Sequence, residues 1–320
     1  MSNWAWAGSA VAGFGAALVI SAALSTIAVA VLRHLGVGQT VREDGPESHL
    51  KKTGTPQMAG IGFLVTIALV VGMLGLYGTR EGLSLVLLIA AYASIGFVDD
   101  YMKFASKSPH GWAVRYRVPL QAVAAAVFVG LTHVAKPGAP PHDAFWLYLF
   151  GVFVVAGGAN AVNLTDGLDG LAAGVAAIVA LGMLAVGAVL GVPPTTLVLA
   201  AVVAGAAGGF LWVNGPPAQA FMGDVGSMGL GAAVCGLAVL MQIEWYFGAI
   251  ACVFVFEALS VIGQVISFQT TGKRIFRMAP FHHHLEQCGW PEQRIVVRAW
   301  VLSAIVGAAV VSWLAWGGHP

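Results

Sequence analysis

"LSLVLLIAAYASIGFVDDYMK" (residues 83–103) is the stretch that decides the fold. Leu83–Val98 carries no charge, and the run then stops at two adjacent carboxylates, Asp99 and Asp100, with Lys103 one helical turn further on. It reads as a membrane-spanning helix that meets water at a pair of acids. Apolar runs of about 20 residues recur along the chain, each long enough to cross a hydrocarbon core of ~30 Å. The chain is 58% hydrophobic and 9% charged, where a soluble domain carries roughly a quarter charged residues. The expectation is an all-α polytopic membrane protein, one integral domain over residues 1–320, with ten helices: 10–32, 58–77, 83–98, 118–135, 144–162, 170–190, 194–213, 226–241, 245–267 and 298–316. The first has no basic segment before it and no small-residue cleavage pattern after it, so it reads as an uncleaved helix. Cys235, Cys252 and Cys288 share no spacing and imply no disulfide framework.

Charge sets the expected orientation. Segments 33–57, 99–117 and 268–298 hold 13 of the 15 Lys and Arg residues, and the opposite connections hold only Arg80 and Lys136. By the positive-inside rule the basic side is cytoplasmic and both termini face outward. Ten of the 14 acids fall on the same side, together with the connections richest in Gly, Asn and His. The chemistry is therefore expected on the cytoplasmic face. A net charge of +1 argues against nucleic acid as a partner.

Four polar clusters follow the charged loop 37–60. At Asp99/Asp100, neighbouring side chains on a helix point about 100° apart, which leaves one acid to meet a metal and the other to orient a substrate or a basic partner. In "NAVNLTDGLDGLAAG" (160–174), Asn160, Asn163, Asp166 and Asp169 recur every three residues and share a face of any helical turn. A helix starting near there aims free N–H groups at an anion. In "NGPPAQAFMGDVGSMGLG" (214–231), Asp224 is the only charge between Asp169 and Glu244, and Phe221 offers an aromatic face to a base. In "RMAPFHHHLEQCGWPEQRIVVR" (277–298), His282, His283 and His284 are adjacent. Adjacent residues do not bind one zinc in good geometry, and the nearby arginines suit an anionic substrate. Carboxylates with Asn and no soft ligand suit Mg²⁺ held together with substrate phosphates. No Walker A or GxGxxG is present. The residues point to Mg²⁺-dependent phosphoryl chemistry at the membrane surface, with a lipid as one reactant.

Those clusters, in that order, resemble the polyprenyl-phosphate N-acetylhexosamine-1-phosphate transferase superfamily. The resemblance rests on "VREDGPESHLKKTGTP", "GFVDDYMK", "NAVNLTDGLDGLAAG", "FMGDVGS" and "KRIFRMAPFHHHLEQCGWPEQRIVVR". The HHH loop with its "GWPE" favours the muramoyl-pentapeptide branch over relatives that use UDP-GlcNAc. The resemblance implies transfer of phospho-MurNAc-pentapeptide from its UDP carrier to undecaprenyl phosphate, giving lipid I and UMP with Mg²⁺, by a homodimer with ten spans. It implies that Asp224 ligates Mg²⁺, that Asp99 and Asp100 are the essential acid pair, and that His282, His283 and His284 are catalytic. Lys52, Asn163, Asp166, Asp169, Asn214, Phe221 and Gln264 match positions lining the nucleotide pocket, with Phe221 stacking on uracil, and Asn160 is counted with them. The chain departs from the family's pattern at Gln57, Ala59 and Cys288. A transporter, the reading from another class, would place its ionisable residues at the bilayer midplane; here only Glu257 falls at depth.

Overall fold

The computed structural model describes residues 5–36, 38, 54–106, 111–132 and 141–317. Twelve α-helices run through them: α1 Ala5–His34, α2 Ile61–Met73, α3 Arg80–Ser106, α4 Val114–Thr132, α5 Pro141–Thr165, α6 Leu171–Leu190, α7 Pro194–Asn214, α8 Gly223–Met241, α9 Glu244–Ile250, α10 Cys252–Thr271, α11 Phe281–Gln287 and α12 Glu292–Ala315. No strand occurs among the described residues, which hold a single isolated bridge between Gly38 and Pro56. Nine of the helices are long and apolar enough to cross a membrane. The all-helical, polytopic expectation holds.

The centre of the bundle is α7 and α8, with 83% and 89% of their membrane windows buried, against 22% for α1, α10 and α12. α1 and α6 pack on α7, while α3 and α5 pack on α8. Helices in lipid gain little from the hydrophobic effect between them, so close approach over small residues carries the packing. Gly96 of α3 shows this: an added Cβ would collide with the Asp224 carbonyl at the start of α8. The outer helices turn large apolar side chains outward, such as Phe256, Leu259 and Ile262 on α10, as a lipid-facing surface requires.

Several boundaries differ from expectation. The span at 58–77 is α2, only 13 residues long and so roughly 20 Å, followed by a 3₁₀ turn at Leu76–Gly78. The span at 245–267 is broken at Ala251 into α9 and α10. The connection at 191–193 separates two full helices, closed by Gly191 in the left-handed region and opened by Pro194 at the first helical position. The largest correction concerns the acid pair. α3 does not stop at Val98 but continues to Ser106, and Asp99 and Asp100 are 1% and 3% exposed. The acids are built into the helix rather than solvated at its end.

Candidate active site

One end of the bundle gathers the polar clusters. Asp99 and Asp100 lie on the last turns of α3, and Asp224 lies on the first turn of α8. One oxygen from each falls within 4.8 Å of the others. Adjacent acids on a helix need not share a ligand, but here Asp224 brings both within reach of a common point. Gly223 makes this possible. Its φ of +71° suits glycine, and a side chain there would strike Asp100 Oδ2.

Each acid is fixed separately. Asp99 Oδ1 accepts from the Trp112 N–H at 2.7 Å and faces Arg117 Nη1 at 3.4 Å. Asp100 Oδ2 accepts from the Val225 N–H at 2.9 Å, and its Oδ1 from Gln57 Nε2 at 3.1 Å. Asp224 Oδ1 accepts from Asn163 Nδ2 at 2.8 Å, and Asn163 also donates to Ser227 Oγ. The Lys103 ammonium stands between two of the acids, 2.6 Å from Asp99 Oδ2 and 2.5 Å from Asp224 Oδ2. Three hard carboxylates around a point that already takes a positive charge are a donor set suited to a divalent cation. The cluster can hold a metal ion, and Asp224, expected as the ligand, is one of its three members.

The turn after α5 supplies the next layer. α5 ends at Thr165, so only Asn160 and Asn163 share a helix, and they diverge: Asn160 donates to Gln121 Oε1 and to the Ala156 carbonyl. Asp166 lies in the turn, where burial and then the charges of Asp224, Asp100 and Asp169 push its carboxyl up to about 8. Asp169 Oδ2 accepts from the Ala218 N–H, and its own N–H donates to Glu292. Asn214, 2% exposed, takes the Gly170 N–H and donates to the Ala220 carbonyl. The turn is thereby tied to the 215–222 connection. Phe221 is anchored by backbone bonds, its N–H to Pro56 and its carbonyl to Ala59.

The histidines ride on α11. His282 is 1% exposed, and its N–H donates to Glu257 Oε2 at 3.3 Å. His283 Nδ1 meets Glu286 at 2.7 Å, and His284 Nδ1 accepts the Arg277 N–H at 3.1 Å. Gln264 of α10 holds the approach to this helix, accepting from the Ile275 and Phe276 N–H groups and donating to the Phe276 carbonyl. Lys52 lies outside the described residues. Of the expected residues, Asp99, Asp100, Asp224 and Asn163 meet directly, while Asp169, Asn214 and Gln264 reach the site through the backbone they hold. Lys103, Arg117 and Gln57 were not expected there. Only Lys103 had a signal in the sequence, its i,i+4 spacing from Asp99.

The chain is similar to known proteins over nearly its whole length. The profile of glycosyl transferase family 4 matches residues 82–242. The chain is 42% identical over 315 residues to a phospho-N-acetylmuramoyl-pentapeptide-transferase of Bacillus cytotoxicus, with 94% of this chain and 97% of the relative covered. It is 42% identical over 329 residues to the protein of that name from Shouchella clausii, covering 98% and 100%. For that of Bacillus pumilus the identity is 44% over 312 residues, covering 92% and 96%.

Proposed function

The chain belongs to the phospho-N-acetylmuramoyl-pentapeptide transferase family within glycosyl transferase family 4, as a multi-pass transferase of the bacterial cytoplasmic membrane, and from that membership we propose that it makes lipid I. It transfers phospho-MurNAc-pentapeptide from UDP-MurNAc-pentapeptide to undecaprenyl phosphate and releases UMP, the first membrane step of peptidoglycan synthesis. The observation that carries this reading is the convergence of Asp99, Asp100 and Asp224 at the end of the bundle where the Asn163–Gly170 turn and the histidine helix also meet.

In the overall reaction an oxygen of the acceptor phosphate ends bonded to the sugar-bearing phosphorus, by direct attack or through an aspartyl intermediate, while the bond to UMP breaks and UMP leaves with the electron pair. A Mg²⁺ held by Asp224, beside Asp99 and Asp100, would neutralise the diphosphate and the charge that builds up during transfer. Lys103 and Arg117 supply fixed positive charge beside the acids, and one of Asp99 and Asp100 engages the acceptor phosphate against them. Asn163, Asp166 and Phe221 bound the nucleotide side, with Phe221 against uracil. Lys52, Asn160, Asp169, Asn214 and Gln264 complete that pocket or its support, and His282, His283 and His284 close it over the donor. The basic connections support a site that faces the cytoplasm and termini that face outward. The family suggests a homodimer.

The test is UMP release by purified protein with undecaprenyl phosphate and Mg²⁺, comparing UDP-MurNAc-pentapeptide with UDP-GlcNAc and using EDTA as control. EDTA-sensitive turnover with the muramoyl donor alone is expected. Turnover with UDP-GlcNAc instead moves the protein to the sister branch, and no turnover with either rejects the reading.

A further inference from the structure

Glu257 was the one acid expected at membrane depth, and the acid cluster makes no use of it. It lies on α10, 5% exposed. On one side it lines a cavity of about 540 Å³ shared with Cys252, Val253, Phe256 and Ile295. Arg298 lines the same cavity but stacks over the Trp290 ring at 4.5 Å. A carboxylate in such apolar surroundings is costly unless it is paired, so a buried acid here points to its partner.

That partner is His282. Its backbone N–H donates to Glu257 Oε2 at 3.3 Å, and its Nδ1 stands 3.2 Å from the same oxygen, within ion-pair reach though not aligned as a full hydrogen bond. Apo sites often hold such contacts loosely until substrate arrives. Among the described residues the other ring nitrogen, Nε2, is buried without a hydrogen-bond partner. It is aimed at Gly167, where any side chain would collide with it. A buried imidazole thus has one nitrogen against a carboxylate and the other turned, unpaired, to the turn between Asn163 and Gly170.

We propose that Glu257 is the positioning residue of the histidine helix: it holds Nδ1–H of His282 so that Nε2 is presented as a hydrogen-bond acceptor to an O–H or N–H group of the nucleotide-sugar donor. The inference rests on the transferase reading above for its substrate. Its physical basis is the general pairing of carboxylate and imidazole, in which the partner of one ring nitrogen sets the role of the other. Glu257 never touches substrate; it acts through His282.

Glu257→Gln tests this with little change of shape. Its amide donates to Nδ1 and so selects the opposite tautomer, with the hydrogen on Nε2. The expected result is a fall in kcat of about 10²-fold or more, since the wrong tautomer in a comparable carboxylate–histidine pair costs about 10⁴, with the donor KM nearly unchanged. In ¹⁵N-histidine spectra of the intact protein in detergent, the His282 signals should exchange their protonated and bare nitrogens. On a His282→Asn background, Glu257→Gln should cause no further loss, because residues acting as one unit are non-additive. Wild-type kcat in Glu257→Gln, an unchanged tautomer, or a full additional loss in the double variant each overturns the proposal. If Glu257→Gln does not fold, Glu257→Asp takes its place: it should keep the tautomer and lose rate, and an unchanged rate overturns the proposal. Absence of turnover in the wild type would reject the transferase reading, while the His282 tautomer would still decide the role of Glu257.

Discussion

Around Asp224 oppositely charged side chains face one another; around Gln264 the side chain holds the backbone. In the first region Asp99 and Asp224 bond to the side chains of Lys103, Arg117 and Asn163, and Asp100 to that of Gln57. In the second, Gln264 bonds to Ile275 and Phe276 main-chain groups, and His284 takes the Arg277 N–H. Side-chain clusters of opposite charge can reorganise around a ligand without disturbing the helices that carry them. Side chains that close a loop cannot leave it without exposing N–H and C=O groups. The acid cluster should therefore be a region of rate, and the histidine approach a region of order.

The sharpest test is Asp224→Asn. It removes the charge that best suits the metal and leaves the shape, so UMP release should fall by about 10³-fold, at the upper end for one electrostatic group. The unfolding midpoint should shift by only a few degrees. Asp99→Asn and Asp100→Asn belong to the same class. Near-normal turnover in Asp224→Asn would remove the metal assignment, and a collapse of the midpoint would erase the contrast between the two regions.

Gly96→Ala strikes the cluster through its scaffold. The added methyl meets the Asp224 carbonyl, and overpacking of this kind costs about 1–3 kcal/mol. Because it also shifts the turn that carries Asp224, a rate loss of about 10²-fold should accompany it. Rate and midpoint should fall together here, whereas Asp224→Asn separates them; both are read from the same purified samples.

Gln264→Ala should behave in the opposite way. It strips two N–H donors and one carbonyl of their partner, at about 1–3 kcal/mol of local stability. The visible effects should be faster proteolysis between residues 272 and 280 and a raised donor KM, with kcat reduced less. Gln264→Glu keeps the acceptor for both N–H groups and should recover most of the order. A kcat collapse with normal proteolysis would place Gln264 in the chemistry instead.

The contrast was only half legible in the sequence. Long uncharged runs bounded by basic connections reveal spans directly, and the motif order brought out Asp99, Asp100, Asp224 and the histidines. The break at Ala251 left no trace, because "WYFGAIACVFVF" is apolar on both sides and carries no proline. The acids looked terminal because α3 turns polar after Val98, yet Tyr101–Ser106 keeps helical geometry. Their meeting with Asp224 is tertiary, set by the small contact at Gly96 and the turn at Gly223. Asn214 and Gln264 enter as pocket residues through the family resemblance, and the loop-holding bonds they make to Gly170, Ala220, Ile275 and Phe276 cannot be read from an amide's letter.

The smallest effect concerns Asp166, which belongs to neither region fully. Its carboxyl is pushed up to about 8 from 3.8 by burial and by the charges of Asp224, Asp100 and Asp169. The folded state therefore binds a proton more tightly than the unfolded one, so the stability linked to this group is fully present below pH 3.8 and is lost as pH rises through about 8. Asp166→Asn mimics the protonated acid and should flatten that loss. In metal-free protein the wild-type midpoint should drop further than that of Asp166→Asn between pH 5 and 8, the window in which the unfolded chain has lost this proton and the folded chain still holds it. Addition of Mg²⁺ should narrow the gap, because a cation among Asp99, Asp100 and Asp224 offsets the charges that repel the Asp166 carboxylate. A gap that Mg²⁺ leaves untouched would mean that burial alone sets this proton, and that Asp166 stands with the loop-holding residues rather than with the acids.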